Sequence, residues 1–186
     1  ADCRDFLPLI PDKSVDLVIL THPDQDHIGG LIDVLKRYAV ETVLWTGAEK
    51  DTQAFKIWKE ALELEQREGA RSMIAKAPQK LTWTKDSSFS FLEILSPAEI
   101  KENIKKVNDA SLVSRLVFYN DSFLFTGDIS KSVEQKLADS KIDLEADVLK
   151  ISHHGSKSSS IIAFLAAASP ELAVIQAGDI FVPAAV

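Results

Sequence analysis

The sequence predicts a mixed α/β domain whose sheets are covered by helices. Three observations point there: short apolar runs of strand length, apolar residues at helical spacing between them, and turn residues at the boundaries. With 186 residues, 46% hydrophobic and 26% charged, the chain suits one compact domain spanning 1–186. Seven glycines and seven prolines are too few for a linker-like chain.

Asp16-Leu17-Val18-Ile19-Leu20 is a continuous apolar run that reads as a strand buried on both faces. Gly29-Gly30 leads into a helix with Leu31, Val34, Leu35 and Tyr38 on one face, and Thr42 to Trp45 is again strand-like. Ala54, Ile57, Trp58, Ala61 and Leu62 repeat at helical spacing, and Gly69 closes that helix. Met73 to Ala75, Leu81 to Trp83 and Phe89 to Leu95 read as short antiparallel strands, separated by Pro78 and by Lys85-Asp86-Ser87. Leu112 to Tyr119 and Phe123 to Thr126 flank the hairpin turn pair Asn120-Asp121. Then come a helix face at Ile129, Val133 and Leu137, a strand at Val148 to Ser152, a helix at Ile161 to Ala168, and a strand at Leu172 to Ala177. Phe55, Trp58, Phe89, Phe118 and Phe123 fall on apolar faces and read as core, and Glu63 to Arg71 as a solvated helix face.

No apolar run approaches the ~18 residues of a bilayer span, and Asp2, Arg4 and Asp5 precede the first broken apolar stretch, unlike a signal peptide. The 28 acidic residues outnumber 21 basic ones, giving a formal charge of −7. That argues against broad attraction to nucleic acid or an anionic membrane, and fits a site that loads cations. Cys3 is the single cysteine, so neither an internal disulfide nor a cysteine zinc site can form.

The chemistry sits at strand ends. His22-Pro23-Asp24-Gln25-Asp26-His27 packs four potential ligands into six residues directly after the first strand. Thr126-Gly127-Asp128 places a carboxylate at another strand end, and Ile151-Ser152-His153-His154-Gly155-Ser156 two imidazoles at a third. The chain has four histidines, and all lie in the first and last of these segments. Any one of these residues alone is more simply structural. Together they point to metal, because carboxylates gathered without neutralising cations cost several kcal/mol. His22, Asp24, Asp26, His27, Asp128 and one of the paired histidines exceed what one tetrahedral zinc needs. Two ions about 3.5–4 Å apart, with Asp128 bridging, would use them all. Imidazole and carboxylate without thiolate suit zinc, with manganese as competitor.

The His-x-Asp-x-Asp-His loop, the Thr-Gly-Asp and the Leu-Lys-Ile-Ser-His-His-Gly-Ser-Lys-Ser-Ser segment, in this order, resemble the metallo-β-lactamase superfamily. They are most similar to the metallo-β-lactamase-like domain of ComEC-type DNA-internalisation competence proteins, and Asn108-Asp109-Ala110-Ser111-Leu112-Val113 matches a further stretch of that branch. The similarity runs from about Asp16 to about Ala177. The chain departs from the superfamily in carrying Asp24 where His is usual, in lacking a separate upstream histidine near Asn108, and in lacking the family's first hairpin and final segment.

The resemblance implies an αββα sandwich of the metallo-β-lactamase fold without its N-terminal hairpin and C-terminal end. It implies a metal-dependent hydrolase of phosphodiesters, a nuclease domain of a DNA-uptake protein, using a metal-bound hydroxide. In that reading His22 and Asp24 hold one ion, Asp26, His27 and His154 the other, and Asp128 bridges; the choice of His154 over His153 comes from the resemblance. Asp26 orients the hydroxide, and His153 is a proton donor or oxyanion partner. Asn108, Ser156 and Lys157 are expected at the substrate, although Ser156 to Ser159 read equally as caps of the helix near Ile161. A serine nucleophile at Ser156 would lack the Gly-x-Ser-x-Gly turn. DNA is the expected substrate, a fused membrane channel the expected context, and the extracytoplasmic face of the bacterial membrane the expected location. The alternatives are a soluble hydrolase of another phosphodiester or a lactam, and a non-catalytic metal-binding module.

Overall fold

The computed structural model describes residues 15–82, 90–99 and 106–177. Asp2, Cys3, Arg4, Trp83, the Lys85-Asp86-Ser87 turn and Phe89 lie outside them. The first sheet grows by two crossovers: β1 (Val15–Leu20), α1 (Gln25–Arg37), β2 (Val40–Trp45), α2 (Gln53–Glu68) and β3 (Arg71–Ile74), with all three strands parallel. The second sheet runs in sequence order through β4 (Gln79–Leu81), β5 (Ser90–Ser96), β6 (Val113–Phe118), β7 (Asp121–Phe125), β8 (Val148–Lys150) and β9 (Leu172–Val174). Its pairs are antiparallel as far as β7 and parallel after, where α3 (Lys131–Ala138) and α4 (Ile162–Ala168) make the crossovers.

Three apolar layers separate four tiers, which makes the fold an αββα sandwich. Val18, Leu20, Val43 and Trp45 face α1 and α2, where they meet Ile28, Leu35, Phe55 and Trp58. The alternate residues Leu17, Ile19 and Leu44 point the other way, toward Leu92, Ile94 and Leu112 in the layer between the sheets. Val113, Leu124 and Leu149 face α3 and α4, against Ile129, Val133 and Phe164. Where a strand is covered on both sides successive positions are apolar, which is why Leu17 to Leu20 and Val43 to Trp45 read as continuous runs, while Asp16 and Glu41 near the strand starts are exposed. No helix among the described residues is long and apolar enough to cross a membrane.

Several boundaries differ from the sequence expectation. Helix α1 begins at Gln25, with Asp24 as N-cap in extended conformation, so Gly29-Gly30 lies inside the helix. Asp26 and His27 therefore stand on its first turn, where an acidic side chain also complements the helix dipole. Strand β3 is parallel to β2, because the α2 crossover returns it to the first sheet. The β6–β7 turn is Tyr119-Asn120, since Phe118 already pairs with Asp121 and Tyr119 adopts φ 55°. Strands β8 and β9 stop at Lys150 and Val174, and the histidine pair continues as a short helical turn. Phe118 is not core: it is 49% exposed beside the turn, edge-on to Tyr119. Glu65 is not solvated; its Oε2 accepts the Val40 N–H at the start of β2.

The packing of α4 gives a direct test. Phe164 is 1% exposed and neighbouring Ile162 is 85% exposed. Phe164→Ala is expected to destabilise the chain by about 3–5 kcal/mol in urea melts, and Ile162→Ala by less than about 0.5 kcal/mol.

Candidate metal centre

Three chain segments meet at one rim. Thr21 ends the first and sends its carbonyl to the Leu112 N–H, 2.9 Å away. Ser111 Oγ accepts the Asp128 N–H at 3.0 Å, and the Gly127 carbonyl accepts the His153 N–H at 3.1 Å. Gly127 is required there: its φ is +54°, and a Cβ would lie 2.7 Å from Ser111 Cβ. His153 and His154 both adopt left-handed backbone conformations, φ 50° and 53°, and this sharp turn separates their rings.

The rings and carboxylates converge. His27 Nε2 lies 3.4 Å from Asp128 Oδ2, 3.5 Å from Asp26 Oδ2 and 3.3 Å from His154 Nε2. His154 Nε2 lies 3.4 Å from Asp128 Oδ2 and 3.3 Å from Asp26 Oδ2. Four ligand atoms, each about 2.0–2.2 Å from a tetrahedral ion, would stand about 3.3–3.6 Å apart. Five of the six separations fall in that range, and the sixth, between Asp26 and Asp128, is within 4.8 Å.

A second set stands alongside. His22 Nε2 is 3.9 Å from both Asp24 Oδ2 and Asp128 Oδ2. His22 is 1% exposed, and among the described residues neither its Nε2 nor Asp128 Oδ1 has a hydrogen-bond partner. Buried lone pairs aimed at carboxylates without a proton or dipole to meet them are costly, and they fit a cation's ligands. Asp24 has a different neighbour on its other side, where Lys50 Nζ donates to Oδ1 at 2.7 Å.

Polar groups behind the rings fix them. Thr21 Oγ1 lies 3.1 Å from His22 Nδ1 and 3.3 Å from His27 Nδ1, so one hydroxyl oxygen can accept from both rings. His154 Nδ1 donates to the Gln176 carbonyl. A neutral ring that donates through Nδ1 presents Nε2 as a bare lone pair on the inner side, whereas a protonated His27 would donate from Nε2 to Asp128. The loop after His154 is held by Glu134, whose two buried oxygens accept the Ser160 and Ile161 N–H groups at 2.9 Å each. That carboxylate serves the start of α4, and no serine of Ser156 to Ser159 caps the helix. Thr21, Lys50, Glu134 and Gln176 were not among the residues read from sequence; Thr21 adjoins the first histidine motif, whereas nothing local marks Lys50, Glu134 or Gln176.

Burial and the adjacent His27 push the His22 pKa down to about 4, against the opposing charges of Asp128, Asp24 and Asp26. Burial alone would raise Asp128, but the His27 hydrogen bond and the charges of His27, His22 and His154 hold it at about 2. At neutral pH both are in the forms that bind metal. His153 stays outside the cluster, with Nδ1 3.2 Å from Ser158 Oγ. Ser156 Oγ bonds Ser158 Oγ at 2.9 Å, and Asn108 contributes its carbonyl to the Ser111 N–H. Among the described residues no hydrogen bond or ion pair joins Asn108, Ser156 or Lys157 to Asp26, His27, Asp128 or His154.

Residues 6–96 match the metallo-β-lactamase superfamily. The ComE operon protein 3 of Bacillus subtilis is 36% identical over 174 residues, which cover 93% of this chain and 21% of that protein. The competence protein ComA of Neisseria gonorrhoeae is 33% identical over 167 residues, covering 89% of this chain and 20% of that protein. The chain thus spans about one fifth of the length of these curated relatives. Among solved structures, Igni18, described as a novel metallo hydrolase from Ignicoccus hospitalis, shares the fold with a TM-score of 0.55 at 17% identity. That alignment covers 91% of this chain and 65% of Igni18.

Two outcomes follow for the metal-stripped protein. Unfolded His22 takes up a proton near pH 6.5, whereas the folded ring resists until about 4. Unfolded Asp128 is protonated near 3.8, the folded carboxyl only near 2. The unfolded chain therefore binds more protons throughout, and stability falls as pH drops from 6.5 to 4 by up to about 3 kcal/mol, then further toward 2. Urea melts at stepped pH measure it; a flat profile between 7 and 4 refutes it. Gly127→Ala, by forcing Ser111 aside at a positive φ, is expected to cost about 1–3 kcal/mol in the same melts.

Proposed function

The chain belongs to the metallo-β-lactamase superfamily, and from that premise we propose that it is a metal-dependent phosphodiesterase, a nuclease domain of a DNA-uptake protein. The observation that carries the reading is the near-tetrahedral convergence of Asp26, His27, Asp128 and His154. These residues would hold one divalent ion, and His22 and Asp24, together with Asp128, would hold a second. Imidazole and carboxylate donors without thiolate suit zinc, then manganese.

Divalent ions supply Lewis acidity, acidifying a coordinated water and offsetting charge that builds on the phosphoryl oxygens. The protein's own groups do the rest. Thr21 and Gln176 keep the inner ring nitrogens deprotonated, and Asp26, with 62% of its side chain exposed, meets the attacking water from the solvent side. His153, supported by Ser158, donates a proton to the leaving oxygen. Asn108, Ser156 and Lys157 contact the substrate's phosphate on the flanks of this rim.

The competence names carried by the relatives support single-stranded DNA in uptake as the substrate. That the chain spans only about one fifth of those relatives supports a domain within a longer protein, and the resemblance to ComEC-type competence proteins supports its fusion to a membrane channel with the domain on the extracytoplasmic face.

The test loads the metal-stripped chain with zinc or manganese, counts bound ions, and follows cleavage of bis(p-nitrophenyl) phosphate and of single-stranded DNA. Asp128→Ala is expected to lose about 100-fold or more in turnover, since it removes the ligand common to both ions. Equal activity in the two proteins would sink the mechanism. Metal-raised Tm without turnover in the unaltered chain would instead favour a binding module.

A further inference from the structure

Lys50 belongs to none of the motifs that mark the metal centre. It sits in the loop between β2 and α2, and its Nζ is 2.7 Å from Asp24 Oδ1. The second oxygen of Asp24 faces the buried, unpartnered His22 Nε2 at 3.9 Å. Asp24 is thus divided between an ammonium and a histidine lone pair. Asp26 and Asp128 differ: among the described residues the ion pairs of both are with histidines alone.

We propose that Lys50 is a tethered cation that guards Asp24, so that the two ions of the centre load unequally. This rests on the two-ion reading above. The first ion enters among Asp26, His27, Asp128 and His154, none of which is ion-paired to an ammonium among the described residues; the charge of Lys150 reaches Asp128, but that carboxylate is common to both ions and does not distinguish them. The second reaches His22 and Asp24 only by displacing Lys50. The ammonium can be displaced: Lys50 and Asp24 side chains are 40% and 24% exposed, and ion pairs so open to water are weak and exchange readily. Lys50 also has somewhere to go. It lines a cavity of about 540 Å³ whose other walls include Glu49, Asp51 and Glu60, with Lys56 and Lys59 already bonded to Asp51 and Glu49. While paired, Lys50 neutralises Asp24 and so removes much of what attracts the second ion. Once displaced but still near, it repels that ion.

The experiment is a zinc titration of the metal-stripped full chain against a chromophoric chelator, giving both stepwise affinities, with circular dichroism to check folding. Unaltered protein is expected to bind the second ion at least about tenfold more weakly than the first. Lys50→Met should tighten the second step by about tenfold and leave the first within about twofold. Lys50→Arg, which keeps the charge, should behave like the unaltered chain, and Lys50→Gln is a second neutral variant should Met disturb the loop. Two ions with an unchanged second step in the neutral variants overturn the guard while leaving the two-ion reading intact. Equal changes in both steps also overturn it. A single ion in every variant overturns both.

Discussion

Carboxylate oxygens and imidazole lone pairs repel one another, yet six such side chains converge on one rim here, several at separations near 3.4 Å. The arrangement is tolerable only with positive charge among them, as protons, an ammonium or metal ions. That requirement orders much of the nearby structure. It explains a buried histidine nitrogen with nothing to bond, a carboxyl held near pKa 2, and a lysine drawn onto Asp24. A fold built only for stability would replace such a cluster with apolar side chains.

The sheets hold these groups together through main-chain bonds. Thr21, Leu112, Ser111, Asp128, Gly127 and His153 form a relay of backbone and hydroxyl contacts linking three strand ends that are far apart in sequence. Asp26 and His27 then take their positions from the first turn of α1 and His154 from the turn after β8, while groups behind the rings orient the histidines. Glu134 does the same for the loop after the histidines, spending a fully buried carboxylate on two amides. Placement of the ligand atoms is thus a property of the scaffold as well as of the ligands.

Much of this was legible in the sequence. The continuous apolar runs at β1 and β2 identify strands covered on both faces, and the histidines' confinement to two segments identifies the centre. The start of α1 was missed because Gly29-Gly30 resembles a boundary, whereas Pro23 and the Asp24 cap set the true one at Gln25, about one turn earlier. The parallel placement of β3 depends on the α2 crossover, which a four-residue strand cannot announce. Lys50 and Glu134 were invisible because their partners lie 26 residues or more away and no periodicity marks a long-range ion pair or cap. That His154 rather than His153 joins the cluster follows from a backbone turn that strand alternation could not show, since both residues are left-handed.

One bond ties the centre to the margin of the molecule. His154 is oriented by the Gln176 carbonyl, just beyond β9, and β9 is a three-residue strand at the end of the second sheet with Leu172 and Val174 exposed. Edge strands fray first, so thermal breathing there reaches a ligand ring before it reaches Phe164 or Leu149 in the interior. Loosening of the periphery would therefore disturb the orientation of the His154 ring while the body of the sandwich is still folded.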